Sequence, residues 1–257
     1  MARVLVVIPT LGTRPELLEQ ALDSIVAQGD IARAVLVSPP GAVEAIDAAK
    51  RRGIEWVKDP ATGLSAAVNA GVGARRDEEF YAWLGDDDLF RDGGLHALAH
   101  ILDTNSEAVL AFGACEYILD DGSVIATNRA GDLASWLLPW GPDLIPHPGT
   151  MVRLDALEAA GFFDESLVFT LDLDLFLKLR KKGPFLCTSK VVSAFRWHPK
   201  SLTVSDRKGS SREAIMVKAR HLPRFLRPFH PLWSYPIAVA SSLAAWLLNV
   251  RASRASH

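Results

Sequence analysis

An apolar run in the middle of this chain ends directly in three consecutive acidic residues, and this combination limits the folds that the chain can adopt. Residues 80–84 are apolar or aromatic and predict a buried strand, and Gly85, Asp86, Asp87 and Asp88 follow it directly. Three adjacent carboxylates repel one another, and burying them without partners is costly. The triplet is therefore either a solvated turn between a strand and a helix or a cation site. Carboxylates on a short loop suit Mg²⁺ or Mn²⁺ that also contacts substrate phosphates, and the triplet alone leaves both interpretations open.

The order of the predicted elements indicates the fold class. Val4 to Ile8 is a continuous aliphatic run typical of a central parallel strand, and further strands are predicted at 34–37, 54–57 and 80–84, with helices between them. This alternation predicts an α/β fold with a mostly parallel central sheet flanked by helices. Ligands of such sheets bind beyond the carboxyl ends of the strands, which is where Pro9, Thr10, Ser38 and the triplet would lie.

Local patterns predict where individual helices begin. Thr13 and Glu16 have the spacing of a capping box, which predicts Thr13 as the N-cap of the first helix. Asp172 stands at the predicted N-cap of a strongly apolar helix that Gly183 ends. The stretch 136–149, rich in Pro, Gly and Trp, predicts a loop over a site.

Charge is distributed unevenly along the chain. The net charge of the chain is −2. Residues 1–195 carry 17 Lys/Arg and 28 Asp/Glu, whereas residues 196–257 carry 11 Lys/Arg and 2 Asp/Glu. A basic tail indicates an anionic partner, either a membrane surface or a nucleic acid. Residues 237–250 are almost wholly apolar and contain Trp246, which favours a membrane surface over nucleic acid.

The apolar part of the tail is short for a membrane span, which takes about 20 residues. We therefore expect a helix that lies in the membrane interface, with peripheral contact through residues 220–257. The alternative is a helix packed on the rest of the chain or on a second copy of it, as in a homodimer. The two cysteines, Cys115 and Cys187, have neither metal-site nor disulfide spacing, and the N-terminus has no signal-peptide pattern. These features predict a cytoplasmic protein, at the inner face of the plasma membrane.

Several motifs, taken in order along the chain, resemble those of family 2 glycosyltransferases. In the first half these are VLVVIPT at 4–10, GLSAAVNAG at 63–71 and the acidic motif LGDDD at 84–88, which resembles a DXD motif. In the second half they are HPGT at 147–150, GFFDE at 161–165, LDLDL at 171–175 and RWHPKSLT at 196–203. Each motif is weak alone, but their order and spacing are fairly specific and cover roughly residues 3–205.

The resemblance implies a GT-A fold, the nucleotide-diphospho-sugar transferase fold, over residues 1–205. Residues 1–90 would form the nucleotide-binding half and residues 91–205 the acceptor half. Residues 206–257 would follow as a basic, apolar helical extension that associates with a membrane. The implied enzyme is a metal-dependent, inverting glycosyltransferase, which moves a sugar from a nucleotide-diphosphate donor to an acceptor hydroxyl.

The resemblance also implies roles for individual residues. Asp88 and Asp86 would hold Mg²⁺ or Mn²⁺, with His198 as a further ligand. Asp172 would be the general base, because a carboxylate near a helix N-terminus stays ionised and can accept a proton; a plain N-cap is the alternative. The nucleotide-sugar donor would be bound by Pro9, Thr10, Gly12, Arg14, Ser38, Asn69, Asp86 and Asp87.

The acceptor is predicted only by class. A basic, apolar tail favours a glycan or a lipid-linked glycan, as in cell-envelope polysaccharide synthesis. Trp140, His147 and Trp197 are candidates for stacking on a sugar ring, with packing at the rim of the core as the alternative. Two other functions stay open: a sugar-phosphate nucleotidyltransferase, and a non-catalytic membrane-surface binding protein of the same fold.

Overall fold

A computed structural model describes residues 2–129, 131–197, 207–237, 239–241 and 243. Its strands form a single sheet in the order β3-β2-β1-β4-β8-β6-β9-β5, and β7 pairs with β6. The strands are β1 (Val4–Pro9), β2 (Ala32–Ser38), β3 (Glu55–Lys58), β4 (Phe80–Trp83), β5 (Leu89–Phe90), β6 (Leu110–Ile118), β7 (Val124–Asn128), β8 (Thr150–Arg153) and β9 (Phe185–Arg196). The helices are α1 (Pro15–Val26), α2 (Val43–Arg51), α3 (Leu64–Gly73), α4 (Gly94–Thr104), α5 (Gly131–Leu137), α6 (Leu154–Ala159), α7 (Leu171–Leu179) and α8 (Arg207–His221).

The first four strands are parallel, as the sequence predicts. β1 lies between β2 and β4, and β2 pairs with β3. All six residues of β1 are buried, because helices cover the sheet on both faces. Successive side chains of a strand alternate between faces, so Leu5 and Val7 pack on one face, and Val4, Val6 and Ile8 on the other.

The prediction of a mostly parallel sheet is wrong for the second half of the chain. β8 is antiparallel to both β4 and β6, and β5 is antiparallel to β9. β6 and β7 form an antiparallel hairpin, as the turn residues Asp120, Asp121, Gly122 and Ser123 between them indicate. Among the described strands of that half, β6 and β9 are the one parallel pair. Short connections such as the turn at 119–123 join antiparallel strands, so the described sheet is mixed and the fold is a mixed α/β fold.

Helix α3 lies unusually close to the sheet. A Cβ added to Gly71 would lie 2.4 Å from Cγ1 of Val7 on β1 and 3.0 Å from Cγ2 of Val37 on β2. The small residues that mark this helix in the sequence therefore serve packing against the sheet. Gly73, two residues further on, has no atom within 4 Å of such a Cβ.

Two helix starts differ from the sequence-based expectation. Helix α1 begins at Pro15 with Arg14 at the N-cap position and has no side-chain cap, so the predicted Thr13 cap is wrong; Pro15 suits a first position because it has no N–H to satisfy. Helix α7 begins at Leu171 with Thr170 at the N-cap, which places Asp172 inside the first turn. The predicted loop at 136–149 also overlaps the end of α5 and includes a 3-10 turn at His147–Gly149.

The C-terminal segment packs on the core along α8. Val217 and Leu222 are buried, and His221 on α8 lies with its Nε2 2.8 Å from Oδ1 of Asp174 on α7. Beyond α8, residues 231–237 are helical, and several large apolar side chains are exposed: Phe225, Phe229, Leu232, Tyr235, Val239 and Leu243. Within the described ranges, no helix is both long enough and apolar enough to cross a membrane. Trp246 lies outside the described residues.

Candidate functional site

The acidic triplet lies in a tight turn immediately after β4. The N–H of Asp88 donates to the carbonyl of Gly85 at 3.2 Å, and Asp86 and Asp88 are buried. A side chain at position 85 would meet Oδ2 of Asp88 at 2.8 Å, so a larger residue there would displace the Asp88 carboxylate. The triplet is therefore not a solvated turn, because its partners are protein groups.

Asp86 is held by residues of the loop between β1 and α1. Thr10 Oγ1 donates to Oδ2 of Asp86 at 2.6 Å, and the Arg14 guanidinium donates to Oδ1 of Asp86 and to Oδ2 of Asp87. Burial is the largest influence on Asp86 and raises its pKa above the ordinary value. Arg14 thus supplies positive charge to two of the three acids.

Asp88 is held from the opposite side by Arg196, a residue whose role was not predicted. The backbone N–H of Arg196 donates to Oδ1 of Asp88 at 2.9 Å. Its guanidinium, which is fully buried, donates to the carbonyls of Asp87, Leu119 and Asp120 at 2.7–2.9 Å. Burial, together with repulsion from Asp87, raises the pKa of Asp88 well above its usual range. The negative charge on this carboxylate is therefore under-compensated.

The oxygen atoms of this turn suit a hard divalent cation. Carboxylates from Asp86 and Asp88 are the ligand type that Mg²⁺ and Mn²⁺ prefer, and a raised pKa at Asp88 indicates that added positive charge there would be favourable. Within residues 2–129, 131–197 and the described tail, no group of three or more His, Cys, Asp or Glu side chains is arranged to hold a metal. His198 lies outside the described residues.

The other predicted donor-binding residues lie at the ends of β1 and β2. Pro9 ends β1 opposite Val37, and the N–H of Gly12, which has φ +74°, donates to Thr10 Oγ1 at 2.9 Å. Ser38 is buried at the end of β2, where its Oγ accepts from Trp56 Nε1 at 3.0 Å. These residues lie at the edge of the sheet that the triplet occupies, since β1, β2 and β4 are parallel neighbours.

Asn69 is engaged by the protein itself. Its amide nitrogen donates to the carbonyl of Phe163 at 3.0 Å and to Oε1 of Glu165 at 3.0 Å, while its oxygen accepts from the N–H of Phe163 at 3.1 Å. These three bonds connect α3 to the 161–165 turn and use all of the amide's principal hydrogen-bonding groups.

Asp172 lies in the first turn of α7 beside a histidine. Its Oδ1 accepts from the N–H of Leu173 at 2.8 Å, and its Oδ2 lies 3.6 Å from Nδ1 of His147. Burial is the main reason that the pKa of Asp172 rises to about 6. A carboxylate with such a pKa is ionised at neutral pH and is still basic enough to take a proton from a hydroxyl group during a reaction.

His147 links Asp172 to β4. Its ring lies 3.8 Å from that of Trp83, the last residue of β4, and 6.1 Å from that of Phe176 on α7, centroid to centroid. Burial lowers the pKa of His147 to about 3, so the ring is neutral at physiological pH. Because Trp83 stands three residues before Asp86, this contact brings the predicted base and the acidic triplet to the same region of the sheet.

A second carboxyl group near Asp172 was not predicted. Burial and repulsion from Asp172 raise the pKa of Asp143 to about 7, while Lys218 on α8 acts in the opposite direction. Lys218 is buried and donates to the carbonyl of Gly141. Asp143 lies inside the loop predicted at 136–149, but no local pattern pairs it with Lys218, because the packing of α8 on the 138–146 loop brings the two together.

The aromatic candidates for sugar stacking are packed against other rings. The ring centroids of Trp140 and Trp233 are 6.1 Å apart, and those of Trp197 and Tyr117 are 5.9 Å apart. Trp140 is also 40% exposed, so one part of its ring remains accessible.

A scan against known protein families finds none that matches this chain. A curated protein from Rickettsia felis, described as an uncharacterized glycosyltransferase, is 25% identical over 146 residues. That alignment covers 53% of this chain and 24% of the relative, so the chain matches about a quarter of the relative's length.

Solved structures share the fold over most of the chain. S. aureus TarS 1-349 in complex with UDP-GlcNAc has a TM-score of 0.66 at 15% identity, over 86% of this chain and 66% of that one. Mannosyltransferase PcManGT from Pyrobaculum calidifontis, in complex with GDP-Man and Mn²⁺, has a TM-score of 0.66 at 18% identity. The match covers 99% of this chain and 81% of that one. The chain is therefore similar in sequence to a glycosyltransferase and has the mixed α/β fold of a known mannosyltransferase.

Proposed function

We propose that this protein is an inverting glycosyltransferase of the GT-A type that uses a nucleotide-diphosphate sugar as donor. The observation that supports the proposal is a series of contacts that leads from the strand before the triplet to Asp172. Trp83, at the end of the strand that precedes the triplet, contacts His147, and His147 lies 3.6 Å from Asp172. Transfer from a diphosphate requires a site that neutralises the charge of the leaving group and a base that takes the proton of the acceptor hydroxyl.

The donor half of the reaction is assigned to the loops after β1, β2 and β4. Asp88 and Asp86 would hold Mg²⁺ or Mn²⁺, with His198 as a further ligand. A bound divalent cation would stabilise the charge that develops on the departing diphosphate. Arg14, which contacts Asp86 and Asp87, is close enough to the triplet to contact a phosphate when the donor is bound.

The acceptor half is assigned to Asp172. Its carboxylate takes the proton of the acceptor hydroxyl while the acceptor oxygen bonds to the anomeric carbon and the bond from that carbon to the diphosphate breaks. Neutral His147 is adjacent to Asp172 and packs against its helix, which limits the positions that the carboxylate can take. Attack from the face opposite the leaving group inverts the anomeric centre.

The acceptor is proposed to be a glycan or a lipid-linked glycan at a membrane surface. Phe225, Phe229 and Leu232 are 72%, 55% and 74% exposed on a segment that also carries Arg224 and Arg227. Exposed apolar side chains beside arginines suit the interface of an anionic membrane. Replacing Phe225 and Leu232 with serine should then reduce sedimentation with anionic vesicles at least 5-fold; Val124→Ser, on the exposed β6–β7 hairpin, is the matched control.

A thermal-shift screen of UDP, GDP, ADP and CDP, each with and without Mn²⁺, tests the donor site. We expect one nucleotide to stabilise the protein, more strongly with Mn²⁺, because a ligand that binds only the folded state raises the melting temperature. The corresponding nucleotide sugar should then release nucleoside diphosphate when an acceptor is present. Release of pyrophosphate from a nucleoside triphosphate and a sugar phosphate would instead support a nucleotidyltransferase, and the absence of any turnover would support a non-catalytic binding protein.

A further inference from the structure

Helix α8 carries one of only two acidic residues in the basic segment 196–257, Glu213. This carboxylate is fully engaged by the three residues that precede α7. Its Oε1 accepts from the N–H of Val168 at 2.9 Å, and its Oε2 accepts from the N–H groups of Phe169 and Thr170 at 2.6 and 2.8 Å. Thr170 Oγ1 donates a fourth bond, 3.0 Å long.

These bonds hold the segment that leads into α7, and none of them goes to an N–H group inside the helix. Thr170 occupies the N-cap position of α7, but its side chain does not cap the helix and is bonded to Glu213 instead. A negative charge is stabilised near the positive end of a helix, where unpaired N–H groups accumulate. Glu213, which stands 43 positions after Thr170, therefore holds the start of α7 in place. Thr170 itself lies two residues before Asp172.

We propose that Glu213 is a positioning residue for Asp172: by clamping residues 168–170, it fixes where the first turn of α7 presents the base. This inference rests on the proposed function. It assigns α8 a role in the chemistry in addition to any role in membrane contact. A carboxylate base depends on its position to within about 1 Å, and a misplacement of that size can lower the rate about 100-fold.

The same helix also contacts the other side of the candidate acceptor site. Lys218, just over one turn after Glu213, donates to the carbonyl of Gly141 in the loop that carries Asp143 and leads to His147. Asp172 is therefore faced by His147, by Asp143 with its neighbour Lys218, and by Glu213. The negative charge of Glu213 contributes to the raised pKa of Asp172, so a change at Glu213 should alter the pH dependence as well as the rate.

The test compares Glu213→Gln and Glu213→Ala with His221→Gln. His221 is near the other end of the α7–α8 contact, where it bonds to Asp174, so its replacement loosens α8 without touching residues 168–170. We expect both Glu213 variants to lose at least 10-fold in kcat, with KM for the donor within 2-fold of wild type. The rise of kcat with pH on the acid side of its profile, the acid limb, reports ionisation of Asp172. This limb should move to lower pH in Glu213→Gln, because the negative charge that raises the pKa of Asp172 is removed. His221→Gln should retain the wild-type kcat and acid limb.

If the Glu213 variants do not fold, Thr170→Val tests the same contact from its other side. It removes only the hydroxyl donor of the clamp, and we expect a 2- to 5-fold loss in kcat with unchanged donor KM. Wild-type kcat and acid limb in a folded Glu213→Gln, or wild-type kcat in Thr170→Val, would overturn the inference. Failure of the proposed function is distinguishable, because the wild-type protein would then transfer no sugar, or Asp172→Asn would transfer it at the wild-type rate.

Discussion

The backbone N–H of Arg196 donates a 2.9 Å hydrogen bond to Oδ1 of Asp88, although 108 positions separate the two residues. The same arginine donates to three carbonyls on two loops. Strand β9 thereby holds the turn that carries the acidic triplet. Stability of the turn and reactivity of its carboxylates can therefore be separated by mutation.

Asp88→Asn should lose at least about 100-fold in transfer rate, because an amide cannot supply the charge that a divalent cation and a diphosphate require. The amide oxygen can still accept from Arg196, and removal of a buried charge beside two others should leave the melting temperature unchanged or raise it. Transfer assays with the matching nucleotide sugar, together with thermal unfolding, measure both effects. Asp121→Asn on the exposed β6–β7 turn is the control, and a rate within 3-fold of wild type for Asp88→Asn would contradict the assignment.

Arg196→Lys should destabilise the protein by about 3 kcal/mol. A lysine has one ammonium group in place of the guanidinium fork, so it loses some of the bonds to these part-buried carbonyls, and a hydrogen bond to a charged group contributes about 1.5–3 kcal/mol. Urea unfolding measures the free energy. Arg51→Lys, at an exposed ion pair with Glu19, should change the free energy of unfolding by less than about 1 kcal/mol; equal effects at the two positions would argue against a special role for Arg196.

The rate of transfer should rise with pH through about 6, since Asp172 must be ionised to accept a proton and its pKa is raised to about 6. His147 has a pKa lowered to about 3, so it contributes no further step between pH 5 and 8. A pH profile of kcat measures the limb. Asp172→Asn should be about 100-fold slower or more and should lack this limb; a wild-type profile that is flat from pH 5 to 8 would be evidence against Asp172 as the base.

Burial of neutral His147 should make folding stability fall as the pH falls. Its folded-state pKa of about 3 lies below the unfolded value of about 6.5. The contribution of His147 to the free energy of unfolding is therefore complete above pH 6.5 and is lost as the pH falls toward 3. The free-energy difference between wild type and His147→Asn should shrink by about 2 kcal/mol between pH 6.5 and 4.5. A difference that is constant over that range in urea unfolding would show that His147 is not buried in its neutral form.

Gly71→Ala should destabilise the protein by about 1–3 kcal/mol, because the new methyl group would overlap Val7 in the sheet. Gly73→Ala is the matched control on the same helix. It meets no atom within 4 Å, and alanine favours helix, so it should be neutral or stabilising by up to about 1 kcal/mol. Chemical denaturation compares the two, and equal effects would mean that α3 does not lie against β1 as described.

The prediction of the parallel half of the sheet succeeded for a local reason. Val4 to Ile8 and Phe80 to Leu84 are long enough apolar runs to identify buried strands, and their alternation with helical patterns predicts parallel pairing. The second half was predicted less well, because whether β8 and β9 pair parallel or antiparallel depends on which neighbours the sheet places beside them. The start of α7 differs from the prediction for a related reason: Glu213, 43 positions after Thr170, holds the residues that lead into the helix, and no pattern near Asp172 reveals that contact.

Features with local causes could be predicted from the order of residues: the apolar strands, the turn before the triplet, and the acidic residues that a cation or a base would use. The partners of those residues follow from the folded arrangement. Arg14, Arg196, His147 and Glu213 reach the candidate site from a loop, a strand, a turn and a distant helix. Burial in that assembly shifts the pKa values of Asp172 and His147. The reason is physical: desolvation and hydrogen bonding depend on which groups the folded chain brings into contact, and the order of residues specifies those contacts only through the whole fold.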